Sequence, residues 1–436
     1  MVSLKEADIV IKNCMILPMS NMGIVEKGTI AVKNGIISYV GKTFAHKIKT
    51  EKILEANGKL AMPGFVNCHT HVAMTLFRGL AEDTSLNKWL SETIWPLEAK
   101  LKPEDVHAGA LLGCLEMIRN GVTCFADMYF FEFEVAEAVK KAGLRAVLAP
   151  GIIETGIWDK EKMMKEAVDF AERYDGYADG RITARLGPHA VYTCGEELLT
   201  QMREKASKLG VGIHIHIAES EEAAKNIRDE FGFSEVELLE KLNFLGNDVL
   251  AAHCIHLTQK DMAVLARRGV MVAHNPVANM KLALGIAKVK DLLDAGVTVG
   301  LGTDGAASNN SLDMFESMKV AALLQKVSYR DSTVLPSEKV LNMATAEGAK
   351  ALGLERKVGS LEVGKRADII LVDLKRPSFT PLHDLYASLV YSAHGCDVDT
   401  VIVDGRVVME NREVKTLDEE EVMEKARAVA FSLLER

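Results

Sequence analysis

Pro63-Gly64-Phe65-Val66-Asn67-Cys68-His69-Thr70-His71 is the stretch that decides how the rest of the chain is read. An aromatic and β-branched run ending in two histidines two residues apart reads as a strand, and period-2 alternation sends His69 and His71 to one face. Both imidazoles can then reach one metal ion. Imidazole nitrogen suits zinc or ferrous iron, but two ligands do not complete a site, so the chain must supply at least one more. A lone His-x-His also occurs in strands that bind nothing. The Pro-Gly before it and the Gly79 region after it suggest a strand that leaves a turn and delivers its C-terminal end to a loop.

Outward from that strand, the chain alternates strands with helices for nearly three hundred residues. The predicted strands are 65–71, 121–128, 145–152, 182–190, 211–219, 249–256, 270–275 and 297–304, and amphipathic runs at 103–120, 132–142, 160–174, 196–209 and 222–242 lie between them. Eight such units predict a closed (β/α)8 TIM-type barrel rather than an open doubly wound sheet. Residues 8–62 read instead as short strands and turns, with Asn34-Gly35 as a hairpin signal. Strand signals return at 367–373 and 401–409, the latter around Asp404-Gly405, after a helical stretch at 337–352. Each strand-rich flank alone would expose an apolar face. The two are therefore expected to form one small β-sandwich domain, 1–62 with 355–436, ending in a helix over 418–434, beside a barrel domain spanning 63–354.

Composition narrows the function. The chain has 436 residues, 48% of them hydrophobic and 26% charged, with a formal net charge of -9. That is ordinary for a globular enzyme, and it argues against nucleic acid or an anionic membrane as the main partner. Residues 1–8 show no apolar run behind basic residues, and nowhere do about 18 apolar residues run without charge, so a cytoplasmic location is expected. The seven cysteines are odd in number and scattered, and read as mostly buried free thiols; no C-x-x-C pair is present.

Barrel enzymes place their chemistry at the C-terminal ends of the strands. Those ends carry His69 and His71, then Gly187-Pro188-His189, His214-Ile215-His216 with Glu219, Ala252-His253, and Gly302-Thr303-Asp304. Six of the twelve histidines fall there. Each has a packing alternative: His214 can be structural and lies deeper than His216, His253 can be a satisfied core residue, His189 can end a strand, and Asp304 can cap a helix or turn. Cys68 alternates away from the metal side. His107, His256, His274, His383 and His394 are read as packing or surface residues.

Taken together, the 63–71 motif, His216-Ile-Ala-Glu219, His253 after two alanines, Leu301-Gly-Thr-Asp304 and Gly364-Lys-Arg-Ala-Asp368 resemble the amidohydrolase superfamily over essentially the whole chain. Trp89, Glu98, His189 and Gly302-Thr-Asp-Gly-Ala-Ala-Ser-Asn-Asn-Ser311 resemble its 5'-methylthioadenosine/S-adenosylhomocysteine deaminases. The resemblance implies one divalent metal per subunit, Zn2+ with Fe2+ as the alternative, held by His69, His71, His216 and Asp304. It also implies hydrolytic deamination of 5'-modified adenosines: 5'-methylthioadenosine, 5'-deoxyadenosine, adenosine and S-adenosylhomocysteine. In that reaction Asp304 would move the proton of the attacking water, Glu219 would protonate the purine ring nitrogen and His253 would orient the hydroxide. His189 would contact the purine, Glu98 the ribose hydroxyls, Trp89 the 5' substituent, and Ser308 would assist. A small-molecule nucleoside is the expected partner, without nucleic acid or membrane, and a homo-oligomer the expected assembly.

One departure stands out. Members acting on S-adenosylhomocysteine carry an arginine at the end of strand three, where this chain has Leu148-Ala149-Pro150-Gly151 and no cation until Lys160. Other readings are a guanine deaminase or triazine chlorohydrolase of the same superfamily, which would keep the metal residues and change the loops. A non-catalytic assembly protein on this fold would typically lack the ligands.

Overall fold

In the computed structural model, residues 6–42 and 48–436 are described; residues 1–5, part of the stretch read for a leader, lie outside the described residues. All eight expected barrel strands form, at Phe65–Thr70, Val122–Tyr129, Arg145–Ile152, Ile182–Pro188, Gly212–Ile217, Val249–His253, Met271–His274 and Val299–Leu301. They are parallel and hydrogen-bonded in sequential order. Nearly every strand residue is buried, as expected for a parallel sheet covered by helices outside and filled by side chains inside.

The seam between the eighth strand and the first has no ladder among the described residues. It is closed by Asn67, whose Oδ1 accepts the Thr303 N–H at 3.0 Å and whose Nδ2 donates to Thr303 Oγ1 at 2.7 Å. The Asp304 N–H donates to the His69 carbonyl at 2.9 Å. That last bond draws the ends of the first and eighth strands together, and with them His69 and Asp304.

A second, nine-stranded sheet draws on both flanks of the barrel. Its order follows from Glu6–Ile16, whose first half pairs with Lys49–Glu55 and whose end pairs with Lys59–Pro63. Lys59–Pro63 then runs antiparallel to Ile369–Asp373, which joins the N-terminal strands to the C-terminal ones. Ile11, Ile16, Ile30, Ile37, Ile369 and Ile402 fill its own core. Both expected hairpin turns form, with positive φ at Asn34, Gly35, Asp404 and Gly405, the signature of the type I′ turn that suits the strand twist. The strands Lys49–Glu55 and Lys59–Pro63 were not anticipated: the first alternates polar residues at an edge, and the second directly precedes the barrel strand.

Three expected helical runs are broken. The run 222–242 becomes Glu221–Phe231 and Glu235–Lys241, because Gly232 takes φ 74° and Ser234 starts a new helix with a capping box to Glu237. The run 337–352 splits at Thr345 into Ser337–Met343 and Ala346–Ala351. Residues 86–101 also read as helix-like in sequence, but they form a short helix, a π-turn at Trp89–Ile94 and a second short helix, Trp95–Glu98. Pro96 has no N–H and crowds the carbonyl four residues back, which favours the wider turn, and the Trp95 N–H donates to the Leu90 carbonyl.

The C-terminal helix, Glu419–Glu435, lies on the barrel helix Pro103–Arg119, bridged by Arg119–Glu419 at 2.6 Å and Arg436–Asp105 at 2.5 Å. Sheet and barrel also meet through a buried ion cluster. Arg145, opening the third barrel strand, pairs with Asp368 at 2.9 Å and with Asp404 at 3.3 Å. All seven cysteines are free thiols, six of them buried. No helix among the described residues is long and apolar enough to cross a membrane.

Candidate active site

The C-terminal ends of the barrel strands surround a cavity. Its lining includes His71, Trp89, Glu98, His189, His216, Glu219, His253, Asp304 and Ser308, so every site residue expected from the sequence lines it except His69, which lies fully buried beneath. Cys68 points the other way, its thiol 3.5 Å from the Gly348 carbonyl in the outer helical layer.

The ligand atoms of His69, His71 and His216 lie within 4.8 Å of one another, as do those of His69, His253 and Asp304. Asp304 Oδ1 is 3.4 Å from His69 Nε2 and 3.3 Å from His71 Nε2. The ring orientations are set from behind. His71 Nδ1 donates to the Met128 carbonyl at 2.6 Å and His216 Nδ1 to the His189 carbonyl at 2.7 Å, leaving both Nε2 lone pairs facing the cavity. His69 Nδ1 lies 2.8 Å from His214 Nε2. His69 Nε2 is buried and makes no hydrogen bond among the described residues. A buried imidazole nitrogen without a partner, converging with two more imidazoles and a carboxylate, is the donor set that a divalent cation requires, and the carbonyls and His214 hold the tautomers that free the lone pairs.

The electrostatics agree. Burial lowers the His69 imidazole to about 4 and holds His216 well below its ordinary value, so both are neutral and able to ligate. Burial opposes charge on Asp304 as well, yet the His69 and His71 rings hold its carboxyl well below the usual range. His71 shows the reciprocal effect: burial works against the imidazolium, but Asp304 raises it to about 9.

Asp304 is further fixed by the Gly305 N–H at 2.9 Å and by Ser308 Oγ, which donates to Oδ2 at 2.9 Å. Ser308 therefore acts on the carboxylate. Asp304 and His253 adopt φ of 65° and 70°, left-handed conformations uncommon for non-glycine residues and often found where side chains are aimed at a site. Glu219 Oε1 is 3.7 Å from His253 Nε2. Burial raises the Glu219 carboxyl above its ordinary value, which favours the protonated acid. His189 is neutral, lowered by burial to about 3, and its Nδ1 is 2.9 Å from Thr193 Oγ1. Glu98 is raised by burial to about 7, with Tyr129 beside it.

The sequence reading missed several residues. The Tyr192 hydroxyl donates to Glu219 Oε2 at 3.3 Å from a short turn after the fourth strand, where no periodicity reports direction. Asn279 Oδ1 lies 2.8 Å from His253 Nδ1. Asn279 lies on the short helix Pro276–Lys281 beyond the end of the seventh strand, where strand alternation gives no signal. Trp95, Tyr129 and Phe130 also line the cavity.

A profile described as the amidohydrolase family matches residues 60–408. The chain is 51% identical over 434 residues to a 5'-deoxyadenosine deaminase of Methanosarcina acetivorans, covering 99% of each. It is 49% identical over 430 residues to a 5-methylthioadenosine/S-adenosylhomocysteine deaminase of Desulforudis audaxviator, covering 98% of this chain and 99% of the other. Among solved structures, an adenosine deaminase of Xanthomonas campestris with bound zinc superposes with a TM-score of 0.94 at 33% identity, covering 99% of this chain and 100% of that one.

Proposed function

The chain belongs to the amidohydrolase family, and from that membership we propose that it is a metal-dependent aminohydrolase converting 5'-modified adenosines to the inosine analogues and ammonia. The substrate class comprises 5'-deoxyadenosine, 5'-methylthioadenosine and adenosine, with S-adenosylhomocysteine as its most demanding member. The carrying observation is the meeting, in one cavity, of a four-residue donor set with two acid-base groups, Glu219 and His253, that are 3.7 Å apart. His69, His71, His216 and Asp304 would hold the ion. Zinc is the proposed ion, with ferrous iron the alternative, and when bound it supplies Lewis-acid chemistry that brings the ionisation of a water near neutral pH.

The protein's own groups do the rest. Asp304, kept ionised by its imidazole neighbours, accepts the proton of the attacking water and returns it to the departing amine. Glu219, biased by burial toward its acid form and held by Tyr192, donates to the ring nitrogen beside the carbon under attack. His253 Nε2 orients the water and stabilises the developing charge. His189 faces the purine, Glu98 accepts from the ribose hydroxyls, and Trp89 packs on the 5' substituent. A homo-oligomer is the proposed assembly, supported by apolar side chains left exposed on outer helices, Val327 at 75% and Phe431 at 63%.

The test is a panel of adenosine, 5'-deoxyadenosine, 5'-methylthioadenosine and S-adenosylhomocysteine, with guanine and a chlorotriazine as controls, assayed after zinc or iron loading for ammonia and, with the triazine, for chloride. Turnover of the adenosines above both controls is expected. Turnover confined to guanine or the triazine would refute the assignment.

A further inference from the structure

Behind His253 lies a polar segment that the proposed mechanism does not use. The seventh barrel strand ends at His274, and the chain turns through Asn275 into the short helix Pro276–Lys281, which carries Asn279 back toward the sixth strand. Asn275 and Asn279 are fully buried. Asn279 Oδ1 stands 2.8 Å from His253 Nδ1, and Asn275 Nδ2 stands 3.5 Å from the same nitrogen. His253 itself sits in a left-handed conformation and is followed by Cys254, also at positive φ, so the backbone turns the ring away from the regular path of its strand. Nothing in that backbone decides which ring nitrogen carries the proton.

We propose that Asn279 is the positioning residue of the reaction: its side-chain oxygen accepts the Nδ1 hydrogen of His253 and thereby fixes the tautomer that leaves Nε2 facing Glu219 and Asp304. An acceptor at Nδ1 keeps the ring hydrogen on that nitrogen, so the Nε2 lone pair stays turned to the cavity. A donor held as closely would instead force the hydrogen of the neutral ring onto Nε2, but the Asn275 Nδ2 donor stands farther off, at 3.5 Å against 2.8 Å for the Asn279 oxygen. The helix holds the backbone of this residue, since the Asn279 N–H donates to the Asn275 carbonyl at 3.1 Å and its carbonyl accepts from the Leu284 N–H at 2.9 Å, while the side-chain Nδ2 has no hydrogen-bond partner among the described residues. The inference rests on the reading in which His253 handles the attacking water.

The test uses the zinc-loaded full chain. With 15N-labelled histidine, and the His253 signals identified by their loss in His253→Ala, the wild-type Nδ1 is expected to be protonated; an unprotonated Nδ1 in the neutral ring overturns the proposal without recourse to any variant at 279. Asn279→Leu keeps the volume but cannot accept, and is expected to lower kcat by about 10- to 100-fold with KM within about threefold and metal content unchanged. Asn279→Asp restores an acceptor and should recover most of that loss. If Asn279 were only a packing residue, the buried charge of Asn279→Asp would make it the worse of the two, and that order overturns the proposal. Wild-type turnover in His253→Ala would remove His253 from the reaction and the inference with it. An inactive His253→Ala together with the wrong tautomer overturns the inference alone.

Discussion

Replacing His214 with alanine separates a metal ligand from the residue that holds one. His214 and His216 share a face of the fifth strand, and the Glu219 spacing assigns ligation to His216 and a structural role to His214. The structure gives His214 a specific partner: its Nε2 is 2.8 Å from His69 Nδ1, and both rings are fully buried. His214→Ala would leave the His69 N–H without an acceptor in a dry interior, a penalty of about 1–3 kcal/mol. Spread over the bound state, this is consistent with the roughly 10- to 100-fold weakening of metal affinity seen when an outer partner of a ligand is lost, or about 1.4–2.7 kcal/mol. Truncating a buried ring also destabilises the fold, by about 2–5 kcal/mol on the scale of large-to-small core changes. Metal-reconstituted wild type, His214→Ala and His216→Ala would be titrated against a chelator, with thermal melts alongside. His214→Ala should still bind one ion per chain at saturation but release it to the chelator 10- to 100-fold more readily, whereas His216→Ala should lose stoichiometric binding. Wild-type affinity in His214→Ala would show that the His69 contact does not orient the ligand, and metal loss in His214→Ala with retention in His216→Ala would reverse the assignment and strip Glu219 of its role.

The remaining expectations concern substrate. Glu219→Gln keeps a buried hydrogen-bonding group but no transferable proton, so kcat should fall by about 10² to 10⁴ with nucleoside and metal binding nearly intact; more than about a tenth of wild-type turnover would exclude it as the acid. Glu98, pushed up to about 7 by burial, must ionise to accept the ribose hydroxyls, so kcat/KM for ribonucleosides should fall as pH drops through 7 by more than for 2',3'-dideoxy analogues. Equal pH profiles for the two sugar classes would remove Glu98 from the ribose. At the end of the third strand, Pro150 and Gly151 border a second cavity next to the catalytic one, and the one cation lining it among the described residues is Lys162, whose side chain is 71% exposed and lies 3.9 Å from Glu166. Lys160 is paired with Glu154. The carboxylate of S-adenosylhomocysteine therefore lacks one charge-assisted contact worth about 1.5–3 kcal/mol, and kcat/KM should favour 5'-methylthioadenosine by roughly 10- to 100-fold. Parity between the two substrates would refute this, and a Pro150→Arg variant with no gain on S-adenosylhomocysteine would show the position to be wrong.

Much of this protein was legible in one dimension because its chemistry sits on strands. Period-2 alternation is a local rule, so His69 and His71 declared a common face, Cys68 declared the opposite one, and the strand ends named His71, His189, His216, Glu219, His253 and Asp304 of the cavity wall before any contact was known. Hairpin turns at Asn34-Gly35 and Asp404-Gly405 were equally local, since only residues that tolerate positive φ close them. Tertiary structure decided what depends on partners distant in sequence or on competition between neighbouring signals. Gly232 and Ser234 outweighed an amphipathic run that otherwise reads as one helix, and Pro96 lies beside the π-turn in the segment that carries Trp89 and Glu98 to the cavity. The hydrogen bonds from Tyr192 to Glu219, from Ser308 to Asp304 and between Asn279 and His253 span turns and separate strands. A sequence pattern reports which way a side chain leaves its own backbone, and only the folded chain reports what it meets there.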